Sequence, residues 1–434
     1  MKLIIHRGAK EIGGSCVEVT SGNSRILIDL GIPLVTPTKE PFDTKILDGK
    51  SVEPLKALKI LPDIQGLYKG EPRSIDAILI SHSHLDHYGF LKYVHPDIPI
   101  YLSEGAQRLI EISNIFIPHK TGKLNTVVLS KWKETAINDF RVTAYLVDHS
   151  AFDALAFLIE SDDKRLFYSG DFRGHGRKSI LLRKMINKPP AKIDCLLMEG
   201  SMLGREKQTY ETETDIQNEI ENILQDKSNI AFLFASSQNI DRLVSAYKAC
   251  RKTGTTFIID LYTAYILERL NEMTPSIPRY NWDNIRVKFF KYHADRLAGI
   301  SKSILYKFNR RKIEFREINS NKNKILILAR DNSLFKVILK HVKGITGSVI
   351  IYSMWEGYLT KELKNTCAQN GIEIKQIHTS GHATINDLKQ FTKALKPKIL
   401  IPIHTFEPQK YRQIYKDVKM LNDGEEFDLN TIIS

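Results

Sequence analysis

Residues 81–89 read SHSHLDHYG, which places His82, His84, Asp86 and His87 within six positions. Imidazoles and carboxylates at this density and spacing are the ligand types that hold zinc and similar divalent ions. The run Ile75-Asp76-Ala77-Ile78-Leu79-Ile80 just before it is short, apolar and β-branched, so it predicts a buried strand with the ligands at its exit. In an extended stretch alternate side chains point the same way, so His82 and His84 can grip one ion together. A helix is predicted after Leu85, and Asp86 and His87 in its first turn would face a second ion. A histidine-rich surface loop or a single four-ligand structural zinc are the competing readings.

Five more segments carry metal-competent residues, most of them at the end of an apolar run, and they argue for the two-ion reading. They are Arg25-Ile26-Leu27-Ile28-Asp29-Leu30-Gly31, where the glycine is expected to permit a tight turn, Tyr145-Leu146-Val147-Asp148-His149, Leu166-Phe167-Tyr168-Ser169-Gly170-Asp171, His378-Thr379-Ser380-Gly381-His382, and Ile399-Leu400-Ile401-Pro402-Ile403-His404. Alone, each Asp could be a helix cap or turn residue and each His an ordinary core side chain. Their joint occurrence with the first run changes that balance.

On these residues the chain resembles the metallo-β-lactamase fold, and within it the β-CASP nucleases that include ribonuclease J and the cleavage-and-polyadenylation endonuclease. Asp29 matches the first motif of that fold, His82 to His87 the second, His149 the third and Asp171 the fourth. The three β-CASP motifs find counterparts in Glu199, in His382 of SGHA and in His404 of PIH, and Glu11-Ile12-Gly13-Gly14 resembles the usual start. The resemblance implies an α/β fold, an αββα sandwich interrupted by an inserted α/β domain with a parallel sheet. It implies domains at 1–205, 206–360 and 361–434, the last completing the first.

The same resemblance assigns roles. One zinc would be held by His82, His84 and His149, the other by Asp86, His87 and His404, with Asp171 bridging; another divalent metal could serve. Asp29 would accept a hydrogen bond from a ligand or fix its loop. Glu199 and His382 would form a hydrogen-bonded pair at the scissile phosphate, with His382 cationic and able to protonate the leaving oxygen. The implied activity is hydrolysis of RNA by a two-metal-activated hydroxide, leaving a 5′-phosphate, with single-stranded RNA threaded between the lobes. A histidine at position 404 places the chain with the RNA-acting members rather than the DNA-repair branch. A nuclease of the same mechanism acting on single-stranded DNA, a non-catalytic RNA-binding scaffold, and a thioester or lactam hydrolase are the alternatives. Ser380, Arg173 and Arg177 are candidates for contact with substrate phosphates.

Charge points to the same class of substrate. The 434-residue chain carries formal net charge +13. Between Asn281 and Ile345 there are ten Lys and six Arg against three Asp and two Glu, so 16 − 5 = +11 lies in one stretch. Lys288, Lys291, Arg296, Lys302, Lys307, Arg310, Arg311, Lys312, Lys322 and Lys324 would form a phosphate-binding surface if they share a face. No apolar run reaches membrane-span length, the N-terminus is too quickly polar for a secretion signal, and Cys16, Cys195, Cys250 and Cys367 lack paired spacing. These features predict a cytoplasmic, reduced protein, with self-association into a homodimer left open.

Element patterns supply the positioning. Strands alternate with helices over the first two hundred residues, broken by the segment 32–73, in which Pro54 to Ile64 predicts a helix. Thr214 is expected to cap a helix, and strands are predicted around 230–234, 256–260, 324–328 and 348–352, a βαβ rhythm that makes a second parallel sheet. The run Ala329-Arg330-Asp331-Asn332-Ser333 lacks the glycine-rich phosphate loop of ribonuclease J, so recognition of a 5′-monophosphate end is not supported by the sequence. The thirty residues after His404 leave no room for the further C-terminal domain of longer ribonuclease J proteins, whose help in dimerisation is expected to be absent.

Overall fold

The strand Cys195–Glu199 is buried along its whole length because both of its faces are covered. Cys195 and Leu197 point into one apolar cluster and Leu196 and Met198 into another, as the two-residue period of a strand requires. The strand Ser24–Ile28 behaves in the same way, with Ile26 and Ile28 in the shared cluster and Leu27 on the opposite side. This explains why both segments are continuous apolar runs rather than alternating ones.

The computed structural model describes residues 1–117, 120–205 and 211–432, and the chain divides into two units. The first comprises Met1–Gly174, Lys178–Glu206 and Gly381–Ser434. Its seven-stranded sheet runs Glu426–Asp428, Lys2–Arg7, Cys16–Ser21, Ser24–Ile28, Ala77–Leu79, Ile100–Leu102, Thr126–Val128. Its six-stranded sheet runs Ile399–Ile403, Cys195–Glu199, Lys164–Tyr168, Leu155–Ser161, Phe140–Leu146, Glu134–Ile137. Ile5, Val17 and Leu79 from one sheet meet Phe140, Phe157 and Ile401 from the other in a single core. The outer face of the first sheet packs on the helix Glu104–Phe116 through Ala106 and Ile110. The outer face of the second packs on Leu182 and Met185 of Ile180–Asn187 and on Leu388 and Phe391 of Ile385–Leu395. The result is the expected helix, sheet, sheet, helix order, with burial of each aliphatic side chain contributing about 1.5–3 kcal/mol.

Register decides which residues meet at the strand ends. Lys164–Tyr168, Cys195–Glu199 and Ile399–Ile403 are adjacent and parallel, with Tyr168 opposite Leu197 and Glu199 opposite Ile403. Their carboxyl ends therefore deliver Asp171, Glu199 and His404 along one edge. Ser24–Ile28 and Ala77–Leu79 are also parallel, with Ile28 opposite Leu79, and deliver Asp29 and His82.

The second unit, His175–Arg177 and Lys207–Ser380, is built on a fully parallel sheet in the order Lys312–Ile313, Ile285–Lys288, Thr256–Asp260, Ile325–Ala329, Ala231–Phe234, Val349–Tyr352, Glu373–Gln376. The last strand corrects the expected boundary at 360. Glu373–Gln376 pairs with Val349–Tyr352, so the inserted unit continues to Ser380 and the chain returns to the first unit only at Gly381. Two smaller corrections concern helices. The helix Glu213–Asp226 is capped by Thr212, not Thr214, because Thr212 and Asp215 form a reciprocal capping box. The long segment carries its helix at Val52–Ala57, and a 3₁₀ turn at Thr44–Leu47 precedes it.

Basic residues in the stretch 281–345 are used unevenly. Lys288 is buried and held by Glu314, Arg286 by Glu317, Lys307 by Glu268 and Arg330 by Asp260. Lys288 is thus a structural cation and not part of an exposed phosphate surface. All four cysteines are free and buried, and among the described residues no helix is long and apolar enough to cross a membrane.

Candidate metal centre

His84 caps the four-residue helix Leu85–Tyr88 with extended backbone, so His82 and His84 leave on one side while Asp86 and His87 ride the first helical turn. That division matches the one expected from the sequence. The backbone N–H of Leu30 donates to the carbonyl of His87 at 2.8 Å and locks the turn against the Asp29 loop. The role of Gly31 is close approach rather than the expected tight turn, since a Cβ there would lie 1.6 Å from the carbonyl oxygen of Asp86.

Donor atoms converge in overlapping groups. His82, His84 and His149 form one set, Asp86, His87 and His404 a second, and His82, His87 and Asp171 a third, the donors of each lying within 4.8 Å of one another. Asp171 joins them. Its Oδ2 stands 3.2 Å from Nε2 of His87, 3.6 Å from Nε2 of His404, 3.8 Å from Nε2 of His82 and 3.7 Å from Nδ1 of His382. Asp86 Oδ2 lies 3.7 Å from Nε2 of His87 and 3.9 Å from that of His404. Six imidazole and carboxylate donors around a carboxylate that reaches both sets suit a divalent metal.

The outer nitrogen of four of the five ligand rings is anchored, which aims the inner one. His87 Nδ1 is 2.8 Å from Asp29 Oδ2, His404 Nδ1 is 3.0 Å from Ser15 Oγ, His82 Nδ1 is 3.0 Å from Ser81 Oγ, and His149 Nδ1 is 2.5 Å from the Gly381 carbonyl. Nε2 of His404 is buried and makes no hydrogen bond. A buried nitrogen without a partner is costly unless a cation uses its lone pair, so this donor set fits a metal.

Electrostatics agree with the geometry. Burial holds His82 and His149 well below the usual imidazole range, pushes His84 down to about 4, and lowers His404. These rings are neutral near pH 7, with lone pairs available. His87 is the exception. Burial opposes its charge too, but Asp171, Asp29 and Asp86 outweigh burial and hold it well above that range. Asp171 sits well below the carboxylate range, burial being overcome by His404, His87 and His382. The acids already gather positive charge where an ion would sit.

Asp29 is fully buried, with φ at 60°, a left-handed conformation that is uncommon outside glycine. Its carboxylate accepts from Ser81 N, Ser81 Oγ and Tyr168 OH, each at 2.8 Å, besides meeting His87. Asp29→Ala is expected to weaken metal affinity by about 10–100-fold without abolishing it. Metal content after dialysis against graded free zinc checks this, and unchanged retention would show that Asp29 does not orient His87.

Glu199 and His382 stand at the edge of the cluster. Glu199 is buried, its Oε2 accepting from Ser201 N at 2.8 Å and its Oε1 from Ala383 N at 3.0 Å. His382 Nδ1 is 3.6 Å from Glu199 Oε1, close to its 3.7 Å from Asp171, so the ring is shared between two acids rather than tightly bonded to one. Burial lowers the His382 pKa, but Glu199 and Asp171 more than compensate and raise it above the usual value. Its side chain is 22% exposed, against 3% for Asp171 and 2% for Glu199, so it is the ionisable group of this trio that an incoming ligand reaches.

The three residues expected to touch phosphate are placed differently. Arg173 is fully buried with Nε 3.3 Å from Asp148 Oδ1, so its guanidinium belongs to the fold. Arg177 is engaged by Ser245 Oγ at 2.8 Å and Gln217 Oε1 at 2.9 Å within the inserted unit, and is likewise structural. Ser380 is buried and its carbonyl accepts from His175 Nε2 at 3.0 Å. Ser15, Ser81, Tyr168 and Asp148 escaped the sequence reading. Ser81 and Tyr168 are adjacent to or inside segments already singled out, but nothing in a lone Ser or Tyr marks it as a partner of Asp29 or of a ligand ring.

The sequence matches the beta-lactamase superfamily domain over residues 61–272 and the Zn-dependent metallo-hydrolase RNA specificity domain over residues 371–413. The second match contains His382 and His404, which complete the centre that the first supplies. The chain belongs to the metallo-β-lactamase superfamily, in its β-CASP branch. Among relatives of this β-CASP chain, transcription termination factor FttA of Methanothermobacter thermautotrophicus is 25% identical over 307 residues, covering 65% of this chain and 45% of that protein. Ribonuclease J of Mycoplasma genitalium is 21% identical over 420 residues, covering 93% and 67%, and that of Helicobacter pylori strain 26695 is 22% identical over 418 residues, covering 92% and 55%. This chain therefore spans roughly half to two thirds of the length of these curated relatives. The fold is shared end to end with a crystal structure of a protein of unknown function from Enterococcus faecalis V583, at TM-score 0.78 and 21% identity, covering 98% of this chain and 99% of that one.

Proposed function

We propose that this protein is a zinc-dependent ribonuclease that hydrolyses phosphodiester bonds of single-stranded RNA at two zinc ions. The observation that carries the reading is His382, partly exposed and held between Glu199 and Asp171 beside two converging donor sets. Relatives named ribonuclease J and the match to an RNA specificity domain support RNA as the substrate class. When bound, the metals supply Lewis acidity and a water acidic enough to ionise near neutral pH.

The chain's own residues would do the rest. His82, His84 and His149, with Asp86, His87 and His404, would hold the metal together with Asp171, whose carboxylate reaches both sets. Asp29 fixes the orientation of His87. His382, kept cationic by Glu199, stabilises charge on the phosphate and returns a proton to the leaving oxygen.

Matched single-stranded RNA and DNA oligonucleotides, labelled at either end, test the reading. RNA-selective cutting that chelation by EDTA abolishes and zinc restores is expected, and the product ladder distinguishes internal from end-directed attack. Equal or preferred cutting of DNA would assign the rival nuclease. No cutting by the zinc-loaded chain, with tight RNA binding retained, would favour a scaffold.

A further inference from the structure

The inserted unit contains a cavity of about 450 Å³ that none of the metal ligands lines. Its walls are the helix Glu213–Asp226, the helix Ile240–Thr253, and Ser276, Pro278 and Trp282. That volume lies within the usual range of small-ligand sites. From the second helix come Val244, Tyr247, Lys248, Arg251 and Lys252, the spacing of a single helical face. Such a face normally buries an apolar stripe. Here Tyr247 is buried, and three cations follow it along the cavity.

Two features of the lining point to an occupant. Trp282 is partly exposed and its ring centroid is 5.2 Å from that of Tyr247, so Tyr247 backs an aromatic surface that opens to the cavity. The charges around it are incompletely balanced. Lys252 is neutralised by Glu221 at 2.5 Å, and Gln217 donates to the same carboxylate at 2.9 Å. Among the described residues Lys248 and Arg251 have no ion-pair partner. Burial, then the neighbouring charges of Arg177 and Arg251, pull the Lys248 ammonium below its usual range. An anion placed between Lys248 and Arg251 would relieve that repulsion.

We propose that this cavity binds one nucleotide unit, its base stacked on Trp282 and its phosphate held between Lys248 and Arg251. Stacking on an aromatic face tolerates any base, and the cations recognise phosphate without reading sequence. The ligand is a free nucleotide or one residue of a single strand, since both present the same base and phosphate. Occupancy here is independent of whether the metal centre cuts.

Trp282 provides the signal. In the full chain carrying Trp132→Phe and Trp355→Phe, tryptophan fluorescence reports on Trp282 alone. The probes are a nucleoside 5′-monophosphate, which has no internucleotide phosphodiester to cleave, and a short single-stranded RNA. Saturable quenching is expected, weakened about tenfold or more in Lys248→Glu/Arg251→Glu, with the salt slope of RNA binding reduced by about two. Quenching by both probes assigns the site to nucleotides generally, and quenching by RNA alone assigns it to a strand. Lys248→Gln/Arg251→Gln serves as a second pair if the reversals fail to fold. No quenching by either probe, or equal affinity in the charge variants, would overturn the proposal.

Discussion

Asp171→Ala is expected to lower RNA cleavage by about a thousandfold or more and to reduce bound metal below two ions per chain. The carboxylate Oδ2 is within 3.2–3.8 Å of ring nitrogens from His82, His87, His382 and His404. Its loss would remove the negative charge that both donor sets share. Removing a single preorganised charge-stabilising group typically costs 10²–10³ in rate, and here an ion would be weakened as well. Metal content by mass spectrometry, measured beside single-turnover cleavage of a labelled RNA, checks both consequences. A variant that retained two ions and wild-type turnover would remove Asp171 from the bridging position.

His382→Ala should separate chemistry from metal binding. Cleavage is expected to fall by about 10²–10⁴-fold, the usual contribution of a general acid, while zinc content and RNA affinity stay near wild type. The expectation rests on position: His382 is partly exposed and lies between Glu199 and Asp171, outside the two histidine sets. Its nitrogen also groups with donors of His149 and Asp171. If the variant lost metal together with activity, His382 would be a ligand and the proton-donor role would go. Retained metal with full activity would leave the leaving oxygen to be protonated by water.

The candidate donors stood out in the chain because metal chemistry demands particular atoms. His82, His84, Asp86 and His87 are crowded into one strand exit, and few folds place three imidazoles and a carboxylate there without an ion to hold. His149, Asp171 and His404 joined them as candidates because each comes just after an apolar strand, as does Asp29, which orients His87. The helix, sheet, sheet, helix order was legible for a related reason: continuous apolar runs such as Cys195–Met198 need cover on both faces, and that cover limits the layer order.

Charged residues were less legible, since the sequence records a charge but not its partner. Lys288 and Arg173 looked like surface cations, yet one is held by Glu314 and the other is buried against Asp148. The end of the inserted unit was misplaced by the same limitation. Nothing local to Glu373–Gln376 states that it pairs with Val349–Tyr352.

Residue type and spacing thus offered the candidate donor atoms, while what each of them faces was decided by tertiary structure. Register between Ile28 and Leu79, and between Glu199 and Ile403, brings together side chains 51 and 204 residues apart in the chain. Ser15, Ser81 and Tyr168 gain their roles only from that juxtaposition, because a hydroxyl becomes an anchor for a ligand when folding buries both and removes the water that would otherwise satisfy them.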